Sequence, residues 1–175
     1  ILLFFGKVLA QPTTPADYGL KSFVIQDKEL GSIHFYVDTV QISKKAPLFI
    51  DINGSGGNPL VNYVVCSDFQ TVVQTFGTHV LAQTKEKYHY IILDKPSTPF
   101  CDTLVSKERL ADTDVHELIS NYKYSQEYTK RLSLNWRMEA TQKVIAYLIQ
   151  HKFWDKTKIV VYGYSEGGQV VPSLA

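Results

Sequence analysis

The alternation of apolar and polar residues predicts strands in the first half of the chain and again near its end. Ile33, Phe35 and Val37 alternate with polar neighbours, which is the period of a strand with one buried face. Later runs are almost continuously apolar, as in strands covered on both faces. The short segment DKELG joins the first two strands and favours a hairpin. The predicted strands are 22–26, 32–40, 47–52, 88–94 and 158–164.

Helical periodicity falls between these strands. The clearest stripe runs from Trp136 to Gln150, and Ser133 is its candidate N-cap. Further helices are predicted at 68–84, within 106–120 and from Glu166 onward. Strands that alternate with helices, after an initial antiparallel hairpin, predict one α/β domain with a mostly parallel sheet covered by helices on both faces.

Composition excludes several classes of function. The chain has 175 residues and a formal net charge of +1, with Lys and Glu interspersed, so no basic patch indicates nucleic-acid binding. No apolar run approaches the roughly 20 residues of a membrane-spanning helix. No His or Cys cluster has the spacing of metal ligands.

The first residues favour export. The run ILLFFGKVLA, residues 1–10, is typical of the apolar part of a signal peptide and ends in a small residue, and a Pro/Thr-rich spacer, 11–21, follows it. The domain would then occupy 22–175, and the protein would be secreted or periplasmic. A first β-strand that packs on the core is the alternative interpretation of this run.

The two cysteines, Cys66 and Cys101, leave two readings open. In an exported chain an even number of cysteines is compatible with a disulfide. Two separate thiols are equally compatible with their spacing.

The segment VVYGYSEGGQVV, residues 160–171, carries the strongest chemical signal. Ser165 follows a predicted buried strand and opens a predicted helix, with Gly163 and Gly167 two positions away on either side. A serine on such a tight strand-to-helix turn is held with its Oγ clear of the sheet edge. Side chains at the two glycine positions would collide with neighbouring backbone. The motif predicts that Ser165 is a nucleophile.

These residues resemble the nucleophile elbow of the α/β-hydrolase superfamily, and the likeness extends over most of the chain. FIDINGSGG resembles the loop after the third strand of that family, with Asn53 where many members carry His. The resemblance implies that the oxyanion hole is formed by the backbone N–H groups of Ser55 and Glu166. Gly56 is the second choice for the donor in the loop.

The resemblance also implies where the base and the acid lie. In this superfamily the chain order is Ser, then Asp or Glu, then His, whereas all five histidines precede Ser165. We therefore expect this chain to be the N-terminal part of a longer hydrolase, with the catalytic acid and His beyond residue 175. The Glu166 side chain is expected to face solvent or cap the helix, Asp94 to hold the turn at Lys95, and Pro172 to be structural.

The predicted activity is hydrolysis of an ester, or less favourably an amide or thioester, through an acyl-serine intermediate. No metal or organic cofactor is implied, and the expected ligand is a small acyl substrate. Two alternatives stay open: a noncatalytic binding member of the same fold, and a prolyl-oligopeptidase-like peptidase. The identity of the substrate and the oligomeric state are not specified by these patterns.

Overall fold

The structure is a computed structural model that describes residues 13–38, 44–109, 114–150 and 154–174. Eight strands and five α-helices are numbered in chain order. The strands are β1 Leu20–Asp27, β2 Gly31–Asp38, β3 Ala46–Ile52, β4 Val61–Val65, β5 Gln70–Gln74, β6 His89–Leu93, β7 Cys101–Val105 and β8 Trp154–Gly163. The helices are α1 Thr78–Thr84, α2 Val115–Ser120, α3 Gln126–Arg131, α4 Leu134–Ile149 and α5 Gly167–Val170. Short 3-10 turns span Pro15–Tyr18 and Val171–Leu174.

The central sheet confirms the predicted α/β fold. Its strand order is β1-β2-β6-β3-β8, with β1 and β2 forming the expected hairpin and β2 antiparallel to β6. The strands β6, β3 and β8 run parallel. The carboxyl ends of these three strands therefore share one edge of the sheet, which is where open α/β sheets bind ligands.

Both faces of the central sheet are buried. On one face, Leu48, Ile50 and Ile91 pack with a stripe of α4 that includes Ala140 and Val144. Successive side chains of a strand point to opposite faces of the sheet. On the other face, a second group of apolar side chains therefore packs against α1 and the loops beside it. This second set comprises Tyr36, Tyr90, Ile92, Phe76, Leu81 and Phe100.

Helix α4 begins two residues before its predicted start. The Ser133 hydroxyl accepts a hydrogen bond of 3.0 Å from the N–H of Trp136, which confirms the predicted N-cap. The indole N–H of Trp136 donates to the carbonyl of Leu30 at 3.0 Å and ties the helix to the β1–β2 turn. Arg137, one residue later, is a charged residue on the buried side of this helix, with only 4% of its surface exposed.

A second, three-stranded sheet replaces part of a predicted helix. Its order is β5-β4-β7, with β4 antiparallel to β5 and parallel to β7. The prediction of one helix over 68–84 is therefore wrong in its first half, because 70–74 pairs with β4, and only α1 is helical. Within 106–120 the described helix is α2.

The arrangement of this sheet excludes a disulfide between the two cysteines. Cys101 lies opposite Val61 at the start of β4, whereas Cys66 follows the last residue of that strand. Five residues of strand separate the two positions by about 16 Å, and a disulfide needs Cα atoms closer than about 7 Å. Both thiols are accordingly free.

Some predicted segments lie wholly or partly outside the described residues, among them 1–10, the start of the spacer 11–21 and the end of the strand 32–40. The described part of the expected spacer 11–21 contains the first 3-10 turn, Pro15–Tyr18. Tyr18 of this turn packs edge-on against Phe76, with ring centroids 5.6 Å apart. No helix of the described segments is both long and apolar enough to span a bilayer.

Candidate active site

Ser165 lies where β8 gives way to α5, with a backbone conformation that side chains rarely adopt. Its φ angle is 53° and its side chain is exposed. Left-handed backbone at a non-glycine residue costs about 1–3 kcal/mol, so the surrounding structure must enforce it. The predicted strand–serine–helix turn is therefore present, and it stores strain at the serine itself.

The two predicted elbow glycines are required by close backbone contacts. A Cβ on Gly163 would lie 2.4 Å from the carbonyl oxygen of Gly167, and a Cβ on Gly167 would lie 2.1 Å from the carbonyl oxygen of Ile52. Neither distance leaves room for a methyl group. At Gly168 the nearest atom would be 3.4 Å away, so that position tolerates a side chain better.

The loop after β3 packs directly against the serine. A Cβ on Gly54 would approach the Ser165 Cβ to 3.3 Å and the Tyr164 ring to 3.2 Å. The Asn53 side chain accepts a hydrogen bond of 2.9 Å from the N–H of Gly54. Gly56 has a φ of 79°, which favours glycine, and a Cβ on the next residue, Gly57, would lie 2.8 Å from the Tyr128 ring of α3. The structure thus brings the predicted oxyanion loop and the predicted nucleophile together.

The two predicted oxyanion donors are available for a ligand. In the part of the chain that the structure describes, no acceptor bonds the backbone N–H of Ser55 or of Glu166. The Ser165 Oγ likewise has no hydrogen-bond partner among those residues. Acyl transfer uses an exposed hydroxyl and unpaired N–H donors, and here these groups belong to the serine turn and to the loop packed against it.

Two cationic side chains, for which the sequence predicted no role at the site, bind the carbonyl groups of this loop. The Arg137 guanidinium donates to the carbonyls of Asn53 and Gly54, both at 2.8 Å. The Lys95 ammonium donates to the carbonyls of Ser55, at 3.0 Å, and Gly56. A single cation within a helix or a turn has no sequence signature, so these contacts could be found only from the fold.

Burial perturbs both cations. Removal from water lowers the pKa of Lys95 to about 8, and repulsion from Arg137 acts in the same direction. Burial also lowers the pKa of Arg137, while the nearby carboxylate of Glu166 raises it. The Arg137 Nε is buried without a hydrogen-bond partner among the described residues.

The side chain of Glu166 does not take either of its expected positions. It makes no capping hydrogen bond and instead lies 3.4 Å from the Arg137 guanidinium. The expectation of a solvent-facing or capping side chain is corrected here, because a buried arginine requires a counter-charge.

Asp94 does not hold the turn that follows it. The turn is closed by the backbone, with the Thr98 N–H donating to the Lys95 carbonyl at 3.2 Å. The Asp94 carboxyl is buried and accepts a hydrogen bond from the Tyr36 hydroxyl across the sheet, while its second oxygen has no partner among the described residues. Burial raises the pKa of Asp94 to about 8, so the carboxyl is largely neutral near pH 7.

A cavity of about 200 Å³ opens beside the serine, on the α1 side of the sheet. Asn53, Tyr164 and Tyr162 form its wall near the elbow, and His79 and Phe76 line the α1 side. His79 therefore lines the same cavity as Tyr164, the residue before the serine. Among the described residues, no group of His, Cys, Asp and Glu side chains has the geometry of a metal site.

Comparisons with known proteins support the fold. No protein-family model matches the chain, and no curated protein matches it significantly. A solved prolyl endopeptidase is similar with a TM-score of 0.52 and 12% identity, over 90% of this chain and 19% of that one. At this identity the likeness concerns the fold alone, and it agrees with the α/β-hydrolase fold expected from the sequence.

Two further solved structures are more distant in geometry. One is described as a dipeptidyl aminopeptidase IV from Bacteroides ovatus, with a TM-score of 0.49 and 15% identity over 89% of this chain and 19% of that one. The other is described as an acetyl xylan esterase from Bacteroides fragilis, with a TM-score of 0.46 and 21% identity over 89% and 45%. The chain spans less than half the length of each of these three proteins.

Proposed function

We propose that this chain carries the nucleophile and the oxyanion hole of a serine hydrolase that cleaves an ester through an acyl-Ser165 intermediate. The observation that supports this proposal is the strained, exposed Ser165, in contact with a loop that presents an unpaired N–H. Strained residues of this kind cluster at active sites, where the surrounding structure enforces them.

In the proposed reaction, the Ser165 Oγ attacks the acyl carbon and the carbonyl oxygen becomes an oxyanion. The N–H groups of Ser55 and Glu166 donate to that oxyanion. The Glu166 N–H lies at the start of α5 and has no acceptor among the described residues, as an oxyanion donor requires. The alcohol then leaves, and water releases the acyl group by the same route.

The proton from the Ser165 Oγ needs a base, and no described histidine bonds that oxygen. The proposal therefore places the base and its orienting carboxylate outside this chain, in a longer protein. An amide or peptide substrate would use the same groups, so the nature of the acyl substrate is a separate question. A noncatalytic binding protein with an inert elbow is the competing hypothesis.

The test is Ser165→Ala in the full-length protein, assayed with a simple aryl ester. We expect kcat to fall by several orders of magnitude, since removing a triad serine has cost about 10⁶ in kcat. Ser97→Ala is the matched control, because Ser97 has nearly the same φ, 52°, but lies in the turn after β6. Equal esterase activity in the Ser165→Ala variant and the parent would reject Ser165 as the nucleophile, whereas no activity in either would favour the noncatalytic binding protein.

We also propose export, on the basis of residues 1–10. N-terminal sequencing of protein recovered from the periplasm or medium should show that this run has been removed. Intact residues 1–10 on a protein retained in the cytoplasm would contradict the proposal.

A further inference from the structure

Four consecutive carbonyl groups of the loop after β3 are all bound by two cations. Arg137 binds those of Asn53 and Gly54, and Lys95 binds those of Ser55 and Gly56. The two cations come from different elements, α4 and the turn after β6. Such complete pairing fixes the orientation of every peptide unit in this part of the loop.

Because the C=O and N–H of a trans peptide point in opposite directions, carbonyls drawn toward the cations turn the linked N–H groups the other way. The described residues contain no cis peptide bond. The peptide whose carbonyl belongs to Gly54 carries the N–H of Ser55, the predicted oxyanion donor. The preceding N–H, that of Gly54, already donates to Asn53 Oδ1. Ser55 N–H is therefore the first of the series left for a ligand.

Arg137 also contacts the residue that carries the other donor. Its Nη2 donates to the Gly54 carbonyl and lies 3.4 Å from a carboxylate oxygen of Glu166. One guanidinium thus touches both halves of the predicted oxyanion hole, the loop after β3 and the start of α5. The guanidinium is held by its own bonds to the two carbonyls, and the Arg137 side chain is buried.

A buried cation is a costly way to fill space in a core. Well-packed apolar side chains can replace a buried ion pair with no loss of stability, or with a gain. A planar guanidinium offers a fork of donors in a fixed geometry, which an apolar side chain cannot supply. The fork at Arg137 is used on two adjacent carbonyls at equal distance.

From these contacts we propose that Arg137, assisted by Lys95, is a positioning residue that aims the N–H groups of Ser55 and Glu166 at the developing oxyanion. The proposal rests on the proposed hydrolase function. It assigns the two cations no contact with substrate. Their effect is to keep the donors oriented before the reaction, so that no reorganisation is needed as charge develops.

The experiment compares Arg137→Ala, Lys95→Met and Arg131→Ala in the full-length protein. Arg131 is the matched control, since it also donates to a backbone carbonyl, that of Glu29, at 2.6 Å, but lies on α3 away from the elbow. Removing an oxyanion donor costs about 10²–10³ in kcat. We therefore expect kcat to fall at least about tenfold in the first two variants, with KM within about twofold of the parent and with the control unchanged.

Two further measurements separate positioning from mere structure. Guanidinium ion, added below denaturing concentration, should restore part of the kcat of Arg137→Ala but not of Lys95→Met. A boronate that mimics the tetrahedral intermediate should lose affinity in parallel with kcat, whereas a substrate-like competitive inhibitor should not. If Arg137→Ala fails to fold, the kcat and boronate measurements on Lys95→Met decide the question.

The possible failures are distinguishable. Full activity in Ser165→Ala would overturn the hydrolase function and this inference with it. An inactive Ser165→Ala together with a normal kcat in Arg137→Ala and Lys95→Met would overturn the inference alone. Losses in KM rather than kcat would also overturn it, because they would assign the cations to substrate binding.

Discussion

Gly163 and Gly167 face each other across the elbow so closely that a methyl group on Gly163 would lie 2.4 Å from the Gly167 carbonyl oxygen. This contact fixes the distance between the end of β8 and the start of α5. It therefore determines the tight turn on which Ser165 is carried, and both glycines act through their lack of a side chain.

The first prediction concerns the three glycines of the elbow. Gly163→Ala and Gly167→Ala should each lower the free energy of unfolding by about 1–3 kcal/mol or more, as expected for overpacking against backbone. Gly168→Ala should be nearly neutral, because its nearest neighbour is 3.4 Å away. Urea denaturation of the three variants measures these differences. A Gly168→Ala variant as unstable as the other two would show that the elbow is crowded throughout.

A second prediction separates the stability of the elbow from its activity. Ser165→Gly removes the side chain from a left-handed residue, which should stabilise the fold by about 1 kcal/mol while it abolishes hydrolysis. Ser97→Gly, at a φ of 52°, should give a similar stabilisation with normal activity. Thermal unfolding and the ester assay on the same preparations provide the comparison. No gain in stability at Ser165 would mean that the left-handed backbone is not strained.

The main sheet could be predicted because its strands carry local signals. The continuous apolar run of β3 and the alternation of β2 indicate buried strands whatever their neighbours are. The elbow was predictable for the same reason, since Gly163, Ser165 and Gly167 lie within five residues of one another.

The second sheet could not be predicted in this way. Val72, Phe76 and Val80 have helical spacing, but Val72 belongs to β5, where it pairs with Tyr63 of β4. That pairing joins two consecutive strands across the short turn 66–69, and it prevails over the helical spacing. The contacts of Arg137 and Lys95 with the loop after β3 could not be predicted from local patterns either, because these residues lie 84 and 40 positions, respectively, from their partners in the loop.

A third prediction follows from the buried carboxyl of Asp94. Burial raises its pKa from 3.8 to about 8, so the folded protein holds a proton that the unfolded chain releases between these values. The contribution of the Asp94 carboxyl to the free energy of unfolding is fully present below about pH 4 and is lost as the pH rises through about 8. Asp94→Asn should therefore become more stable relative to the parent across this range, by up to about 1.4 kcal/mol per pH unit.

Asp27→Asn is the control for this titration. Hydrogen bonds from the N–H of Leu30, from Lys143 and from the N–H of Glu29 lower the pKa of Asp27 to about 2. Its contribution to stability is present above the ordinary pKa of 3.8 and is lost as the pH falls toward 2. Between pH 4 and 8 the difference between this variant and the parent should stay constant. If the difference in the free energy of unfolding between Asp94→Asn and the parent also stayed constant between pH 4 and 8, the Asp94 carboxyl would not be neutral in the folded protein.

The last prediction is that none of the histidines on the central sheet and α1, namely His34, His89 and His79, is the base for Ser165. His34 is on β2, three strands from β8 in the sheet order, which corresponds to about 14 Å. His89 is at the opposite end of β6 from the elbow, where its Nε2 is bonded to the Lys44 carbonyl at 2.9 Å. His79, which lines the cavity beside Tyr164, is the histidine that requires a direct test.

That test is labelling of the full-length protein with a fluorophosphonate, which reacts with serines that a base has activated. His79→Gln should label at Ser165 within about threefold of the parent rate, because glutamine retains polar groups toward the cavity but cannot accept the proton. Ser165→Ala should not label at all, and His34→Gln should match the parent. A fall of about 100-fold or more in His79→Gln, the lower bound for loss of a general base, would identify His79 as the base. The acid and base would then lie partly within this chain, and the order of catalytic residues would differ from that of the family it resembles.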